Sequence, residues 1–257
     1  MKLISLNCWG GKLYRPLTSF LKDYSEQVDI FCLQEVFSSP QRKLSRFGMR
    51  TNLLQELEKI FPDFNSFFAP VSKHNDFGIP VDHDLEFGQA TFVRKNIKVN
   101  SSGDIFVYLK LGSQPKKLSE EFIELPKTLQ YLEIEESRKK FLITNFHGLA
   151  FPFSKEDTPG RIKQSQRIMK FLHSKSDKKI LTGDFNLNPD TKSITLLENS
   201  MVNLIKKFKV KKTRSRLYKG EHSFADYTFV TPDIKVLDFK TINVTISDHL
   251  PLSLEFN

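Results

Sequence analysis

Cysteine and long apolar runs are scarce in this chain, and each scarcity closes off a class of protein. Two cysteines among 257 residues, Cys8 and Cys32, are too few for a disulfide framework and have no zinc-ligand spacing. Each ends an early apolar run, which reads as two reduced core thiols placed as neighbours on paired strands. No stretch approaches the ~18 consecutive apolar residues of a membrane span. The opening residues, Met1-Lys2-Leu3-Ile4-Ser5-Leu6-Asn7-Cys8-Trp9, enter a strand pattern at once, without an apolar signal region or a small-residue cleavage site. The expectation is a cytoplasmic protein without membrane insertion or an obligate protein partner. No internal repeat and no linker interrupts the chain, so residues 1–257 read as one domain. With 39% hydrophobic residues, the chain can bury a substantial core.

Acidic residues are missing altogether between Lys206 and Lys219. That stretch holds Lys206, Lys207, Lys209, Lys211, Lys212, Arg214, Arg216 and Lys219, and so supplies eight of the nine net positive charges. Localised positive charge points to a polyanionic partner through counterion release. In Lys207-Phe208-Lys209-Val210-Lys211, basic and apolar residues alternate, which is the pattern of a strand with one basic face. Lys207, Lys209 and Lys211 are therefore candidate nucleic-acid contacts. The competing reading is a solvated basic loop.

Strand patterns cover residues 2–7 and 28–33, with Leu17, Phe20, Leu21 and Tyr24 at helical spacing between them. Leu44, Phe47, Leu54, Leu57 and Phe61 predict a helix over 42–60, stopped by Pro62. A strand at Phe64–Ala69 precedes a surface loop at 71–86, and strands follow near 88–94, 104–110, 129–135 and 140–146. A polar insertion spans 112–127, punctuated by Pro115 and Pro126. A helix at 161–174, a strand at 179–183, a short helix at 192–199 and strands near 207–213, 224–230, 235–241 and 251–256 complete the pattern. Many strands with few peripheral helices indicate a mixed-sheet α+β sandwich.

Polar groups recur where apolar strands stop. Ile180-Leu181 leads into Thr182-Gly183-Asp184-Phe185-Asn186, and Val244-Thr245-Ile246 leads into Ser247-Asp248-His249. Asn7 ends the first strand, Gln34-Glu35 the second, and His147 the run Phe141–Phe146. Asp226 opens Tyr227-Thr228-Phe229-Val230. A core has no use for these groups, whereas a divalent metal and a phosphate do. Asp184 and Asn186, two residues apart, point to one side if the backbone is extended. A carboxylate such as Glu35 suits a hard cation, and a histidine such as His249 titrates near neutrality.

The segments LISLNCWG, FCLQEVF, LITNFHG, ILTGDFNLNP, FADYTFV and ISDHLPL run from residue 3 to residue 252. Together they resemble the endonuclease/exonuclease/phosphatase superfamily of DNase I-like, exonuclease III-like and sphingomyelinase-like metallohydrolases. The resemblance implies a four-layer αββα sandwich, two mixed β-sheets flanked by helices, with the site at one end of the sheets. It implies Mg²⁺, with Mn²⁺ as a substitute, on Glu35, with Asn7 supplying a carbonyl oxygen and Asp248 a further carboxylate. It implies that Asp184 orients or deprotonates water, that Asn186 holds a phosphate oxygen and that Asp226 orients His249. His147 takes the place of the family's second histidine, although Asn145-Phe146-His147-Gly148 departs from the usual Asn-Thr-His-Leu.

The superfamily's substrates range from DNA and RNA to inositol phosphates and sphingomyelin, and the fold does not choose among them. The basic stretch favours a nuclease or DNA-repair phosphodiesterase. The alternatives are a phosphomonoesterase or lipid-head-group enzyme of the same fold, and a catalytically inactive binding module. Trp9 and the loop at 71–86, with His74, Phe77 and His83, are candidate substrate rims. Glu86 and Arg94 stand near the site as ambiguous neighbours.

Overall fold

Apolar runs of five to eleven residues, and one short edge pair, build twelve strands in two sheets. They are β1 (Lys2–Asn7), β2 (Ile30–Ser38), β3 (Phe64–Lys73), β4 (Glu86–Arg94), β5 (Lys98–Tyr108) and β6 (Lys127–Glu136), then β7 (Lys139–His147), β8 (Lys178–Asp184), β9 (Val202–Asn203), β10 (Asp226–Val230), β11 (Val236–Thr241) and β12 (Leu252–Phe256). The computed structural model describes residues 1–110, 113, 116–117, 123–176 and 178–257. Much of the expected insertion at 112–127 lies outside the described residues.

The first sheet has the order β11-β12-β1-β2-β4-β3 and the second β9-β10-β8-β7-β6-β5. Two pairs, β1 with β2 and β7 with β8, are parallel; the pairs flanking them are antiparallel. A parallel pair needs a long crossover. Helix α1 (Tyr14–Ser25) supplies it in the first sheet and α3 (Pro159–His173) in the second. Thr158 caps α3 by accepting from Arg161 N at 3.2 Å, and Pro159 occupies its first turn. Because both strands of a parallel pair end on the same side, Asn7 lies beside Gln34, and His147 beside Asp184.

The sheets are packed face to face with helices outside. Phe141 of β7 meets Phe256 of β12 edge-on across the interface, with ring centroids 5.4 Å apart. On the outer face of the first sheet, Ile4, Leu6, Phe31 and Leu33 bury Leu17 and Leu21 of α1 with Leu53 and Leu57 of α2 (Leu53–Ile60). Ile168 and Leu172 of α3 pack with Ile194 and Leu197 of α4 (Lys192–Glu198) against the second sheet. The expected α+β sandwich is the observed architecture.

Directly beneath the site the inter-sheet layer is polar. Gln34 Nε2 donates to Asn145 Oδ1 at 2.7 Å, and Asn145 Nδ2 donates to Ala90 O at 3.2 Å. Gln89 Nε2 returns a bond to Asn145 O at 2.6 Å, and Thr91 Oγ1 donates to Gln130 Oε1 at 2.7 Å. A buried network of this kind holds one mutual register of the two sheets, since a slip would strand its donors without partners.

Several local expectations are corrected. The helix expected over 42–60 is confined to Leu53–Ile60. Ser45 Oγ accepts from Phe47 N and Met49 N, Gly48 turns with φ 74°, and Leu44 bridges to Arg50. A serine bonded to its own local backbone competes with helix formation. The loop at 71–86 is partly strand, with β3 reaching Lys73 and Asn75–Asp76 pairing with Ile79–Pro80 as a hairpin. The strand expected over 207–213 is absent. Asn203 Oδ1 accepts from Ile205 N and Lys206 N, starting a helical turn, α5 (Leu204–Lys207), and Lys209 then adopts φ 52°. Capping overrides the alternation, so Lys207, Lys209 and Lys211 do not share a strand face. Cys8 and Cys32 are buried on opposite faces of the first sheet rather than side by side, and burial pushes both thiols above their ordinary pKa.

Candidate active site

At the shared end of the two parallel pairs, strand termini and loops enclose a cleft of about 430 Å³. Glu35, His147, Asp184, Asn186, Asp248 and His249 all line it; Asn7 and Asp226 stand immediately behind them.

Glu35 reaches the cleft through a β-bulge rather than a strand end. Pairing of β2 with β4 jumps from Leu33–Ala90 to Val36–Gly88, and Glu35 has φ 56°. The extra residue leaves the alternation, and its side chain is re-aimed. Asn7 Nδ2 donates to Glu35 Oε1 and to Asp184 Oδ2, both at 3.0 Å. Asn7 Oδ1 accepts from Trp9 N at 2.9 Å. The amide therefore positions two carboxylates with its nitrogen, while its oxygen holds the backbone of Trp9. Glu35 Oε2 is buried with no hydrogen-bond partner. Burial pushes the Glu35 carboxyl above its ordinary pKa, and the nearby charge of Asp248 adds to the rise.

Asp184 closes β8 between His147 on β7 and Asp226 on β10, with which it pairs in register. Gly183 precedes it with φ 142°, where a Cβ would overlap Phe146 O; only glycine fits. The backbone is not extended at Asn186, which has φ 56°, yet Asn186 N still folds back on Asp184 Oδ1 at 2.9 Å. Burial alone would raise the Asp184 pKa; the electrostatic pull of nearby His249 and Arg214 outweighs it and holds the carboxyl below its usual range.

The two histidines are driven apart. His249 Nδ1 lies 2.8 and 2.9 Å from the Asp226 oxygens, which places a proton on that nitrogen. Burial lowers its pKa, but the Asp226 carboxylate reverses the shift and raises it. His147 Nε2 lies 3.8 Å from both Glu35 and Asp184, and burial with the charge of Lys127 lowers its pKa to about 3. At neutral pH His147 is an uncharged imidazole, whereas the Asp226 carboxylate raises the proton affinity of His249.

Three buried cations join the acidic and histidine groups at the cleft. Arg214 Nη1 donates to Asp248 Oδ2 at 3.1 Å and to His249 Nε2. Lys155 Nζ donates to Asn186 Oδ1. Lys127, buried at the start of β6, lies within electrostatic range of Glu35 and Asp184. Arg214 was counted within the basic stretch, while Lys155 and Lys127 had no motif to mark them. Two neighbours are dismissed from the site: Glu86 pairs with Lys73 at 2.6 Å, and Arg94 donates to the carbonyl oxygens of Ser25 and Val28. Lys207, Lys209 and Lys211 are exposed and do not line the cleft.

Ligand atoms of Asp184, Asp226 and His249 lie within 4.8 Å of one another, close enough to hold a metal ion. Asp226 already directs both oxygens to His249 Nδ1, however, and Asp184 stands 3.6 Å from His249 Nε2. The orphaned Glu35 oxygen beside Asp248 is the better match for a hard cation, which takes oxygen ligands and little else. Arranged around one cavity are thus an oxygen-rich cation position, an ionised acceptor for water, cationic donors for anionic oxygens and a carboxylate-oriented histidine.

Known structures share the whole architecture. An endonuclease/exonuclease/phosphatase from Bacteroides vulgatus superposes with a TM-score of 0.70 at 16% identity, covering 100% of this chain and 98% of its own. A mannosyl-6-phosphatase of Bacteroides thetaiotaomicron gives 0.70 at 17%, covering 100% and 99%. TDP2 of D. rerio, complexed with a single-strand DNA product, gives 0.67 at 16%, covering 100% and 98%. No curated protein sequence matches the chain. Among the described residues no helix is long and apolar enough to cross a membrane. The family model described as Endonuclease/Exonuclease/phosphatase family matches residues 4–249, and the chain belongs to that family.

Proposed function

We propose that this protein hydrolyses phosphoester bonds with a divalent cation, Mg²⁺ or in its place Mn²⁺, held by Glu35 and Asp248. Family membership supports phosphoric ester hydrolysis. The observation that carries the metal reading is the buried, partnerless Glu35 oxygen among Asp248 and Asp184. A bound cation neutralises the phosphate and polarises phosphorus. Asp184, held ionised, accepts a hydrogen bond from the attacking water. His249, 3.6 Å from Asp184 and oriented by Asp226, holds the transferred proton. Asn186 and Lys155 bind a non-bridging oxygen, and neutral His147 donates to another.

Turnover of bis-p-nitrophenyl phosphate with Mg²⁺ or Mn²⁺ tests this. EDTA is expected to reduce the rate at least ~100-fold, as removal of a central electrostatic group does. Equal rates with and without chelator would remove the metal from the mechanism.

Lys155 adds a pH signature. Burial pushes its pKa down to about 8, so the ammonium is charged at pH 7 and neutral above that value. KM is expected to rise above pH 8 in the wild type. Lys155→Arg, which stays charged throughout, should abolish that alkaline rise; an unchanged profile would assign it to another group.

For the ester itself, DNA or RNA is the reading favoured by the net charge of +9 and the exposed lysines. Neutralising Lys207, Lys209 and Lys211 together should reduce the salt slope of DNA binding by about three. A constant slope would retire those contacts. A compact phosphate ester is the second reading, favoured by the enclosed cleft and its apolar wall.

A further inference from the structure

Opposite the carboxylates, the cleft wall is aromatic and aliphatic. Trp9, Phe47, Met49, Phe87, Leu125 and Phe153 line it together with the catalytic groups. Separate loops assemble this wall. Arg46 N donates to Asp76 Oδ2 at 2.7 Å and Arg46 Nη1 to Phe77 O at 3.1 Å, tying the 42–50 loop to the 75–80 hairpin. Phe77 then packs between Phe47 and Phe87 with its ring steeply inclined to both, at centroid distances of 5.2 and 5.0 Å.

The mouth continues the same chemistry. Of the six exposed large hydrophobic residues among those described, Phe151 and Phe153 line the cleft at 40% and 45% exposure, and Leu44 at 66% and Ile79 at 49% lie on the tied loops. Four of six on the loops of one cavity is a concentration, unlike the scattered single residues normal on a protein surface. A volume of about 430 Å³ lies within the range of pockets that enclose a small organic ligand.

We propose that this chamber holds an apolar group esterified to the scissile phosphate, so that the substrate is a phosphate ester of an apolar alcohol. The proposal rests on the phosphoester-hydrolase reading in its compact-ester form rather than its nucleic-acid form, since the phosphate must sit among Glu35, Lys155 and Arg214 for its ester group to enter the chamber. Alkyl chains and aromatic rings share this chemistry.

Non-hydrolysable phosphonates separate the two claims. Methyl-, butyl-, hexyl- and phenylphosphonate are titrated calorimetrically into the protein with excess Mg²⁺. Affinity is expected to rise by up to about fourfold per buried methylene, at least tenfold from methyl to hexyl, with a more negative heat-capacity change. A larger gain for phenyl than for butyl would identify an aromatic alcohol, and the reverse an alkyl one. Phe151→Ser combined with Phe153→Ser, both at exposed positions, should cut the methyl-to-hexyl gain at least threefold and leave methylphosphonate affinity unchanged. A flat series would overturn the chamber proposal. Methyl p-nitrophenyl phosphate is assayed in parallel. Its turnover alongside a flat series leaves the hydrolase reading standing without the chamber. A rising series without cleavage of any ester sinks the hydrolase reading and keeps the apolar site.

Discussion

Glu35→Gln is expected to lower kcat/KM by about 10³-fold or more and, in the same protein, to raise the thermal stability of the metal-free form. The first effect follows from removing a charge that stabilises the transition state. The second follows from the environment of the carboxylate, which is buried with one oxygen unpartnered and has its pKa raised. A group with a raised folded-state pKa stabilises fully below its unfolded pKa. That stability is lost as pH rises through the folded value. Above its folded-state pKa the ionised Glu35 is therefore a cost that a neutral amide removes. Scanning calorimetry with and without Mg²⁺ checks both halves. Mg²⁺ at 100 times its Kd should stabilise the wild type by about 2.7 kcal/mol and the variant far less. Equal stabilisation of the two proteins would move the cation away from Glu35.

Arg161→Met is expected to destabilise the fold by about 3–5 kcal/mol, because it strands partners of a buried charge. Arg161 is 0% exposed, and its guanidinium donates to the carbonyl oxygens of Leu149, Ala150, Pro152 and Glu156. One side chain thus organises the loop between β7 and α3. That loop carries Phe151 and Phe153 on the cleft wall and Lys155 against Asn186. Loss of the fork should lower the urea midpoint at constant m-value and raise KM in the folded fraction. Lysine has three donors but no planar fork, so Arg161→Lys should recover only part of either quantity. A wild-type midpoint for Arg161→Met would show that the carbonyls find other donors.

Legibility in the sequence followed range of interaction. Strands with continuous apolar runs, such as those ending at Asn7, His147 and Asp184, were readable because burial alone dictates them. The residues at their ends were readable because carboxylates, amides and histidines have no business closing a buried strand. Glu35 was identified but misplaced, since a bulge depends on the partner strand and leaves no mark in the bulged one. The basic alternation at Lys207–Lys211 misled because a two-residue period is a weaker determinant than the Asn203 cap that starts a helical turn before it. The helix expected over 42–60 failed over its first half for a similar local reason, the Ser45 side chain bonding its own loop.

Taken alone, the sequence determined the family, the layered sandwich and the acidic and histidine groups of the site. The sandwich and the polar strand ends follow from local pattern, and the family from the resemblance of its motif segments. Tertiary structure alone decided which cations enter the cleft and what its far wall is made of. Lys127, Lys155 and Arg214 look like solvated charges in sequence, and Phe47, Phe87 and Phe153 look like core. Their gathering around one cavity is set by hydrogen bonds between segments distant in the chain, from Arg46 to Asp76 and from Asn7 to Asp184. The strand ends bring the acidic and histidine groups together because burial dictates the strands; the loops held over them depend on contacts that no local pattern encodes.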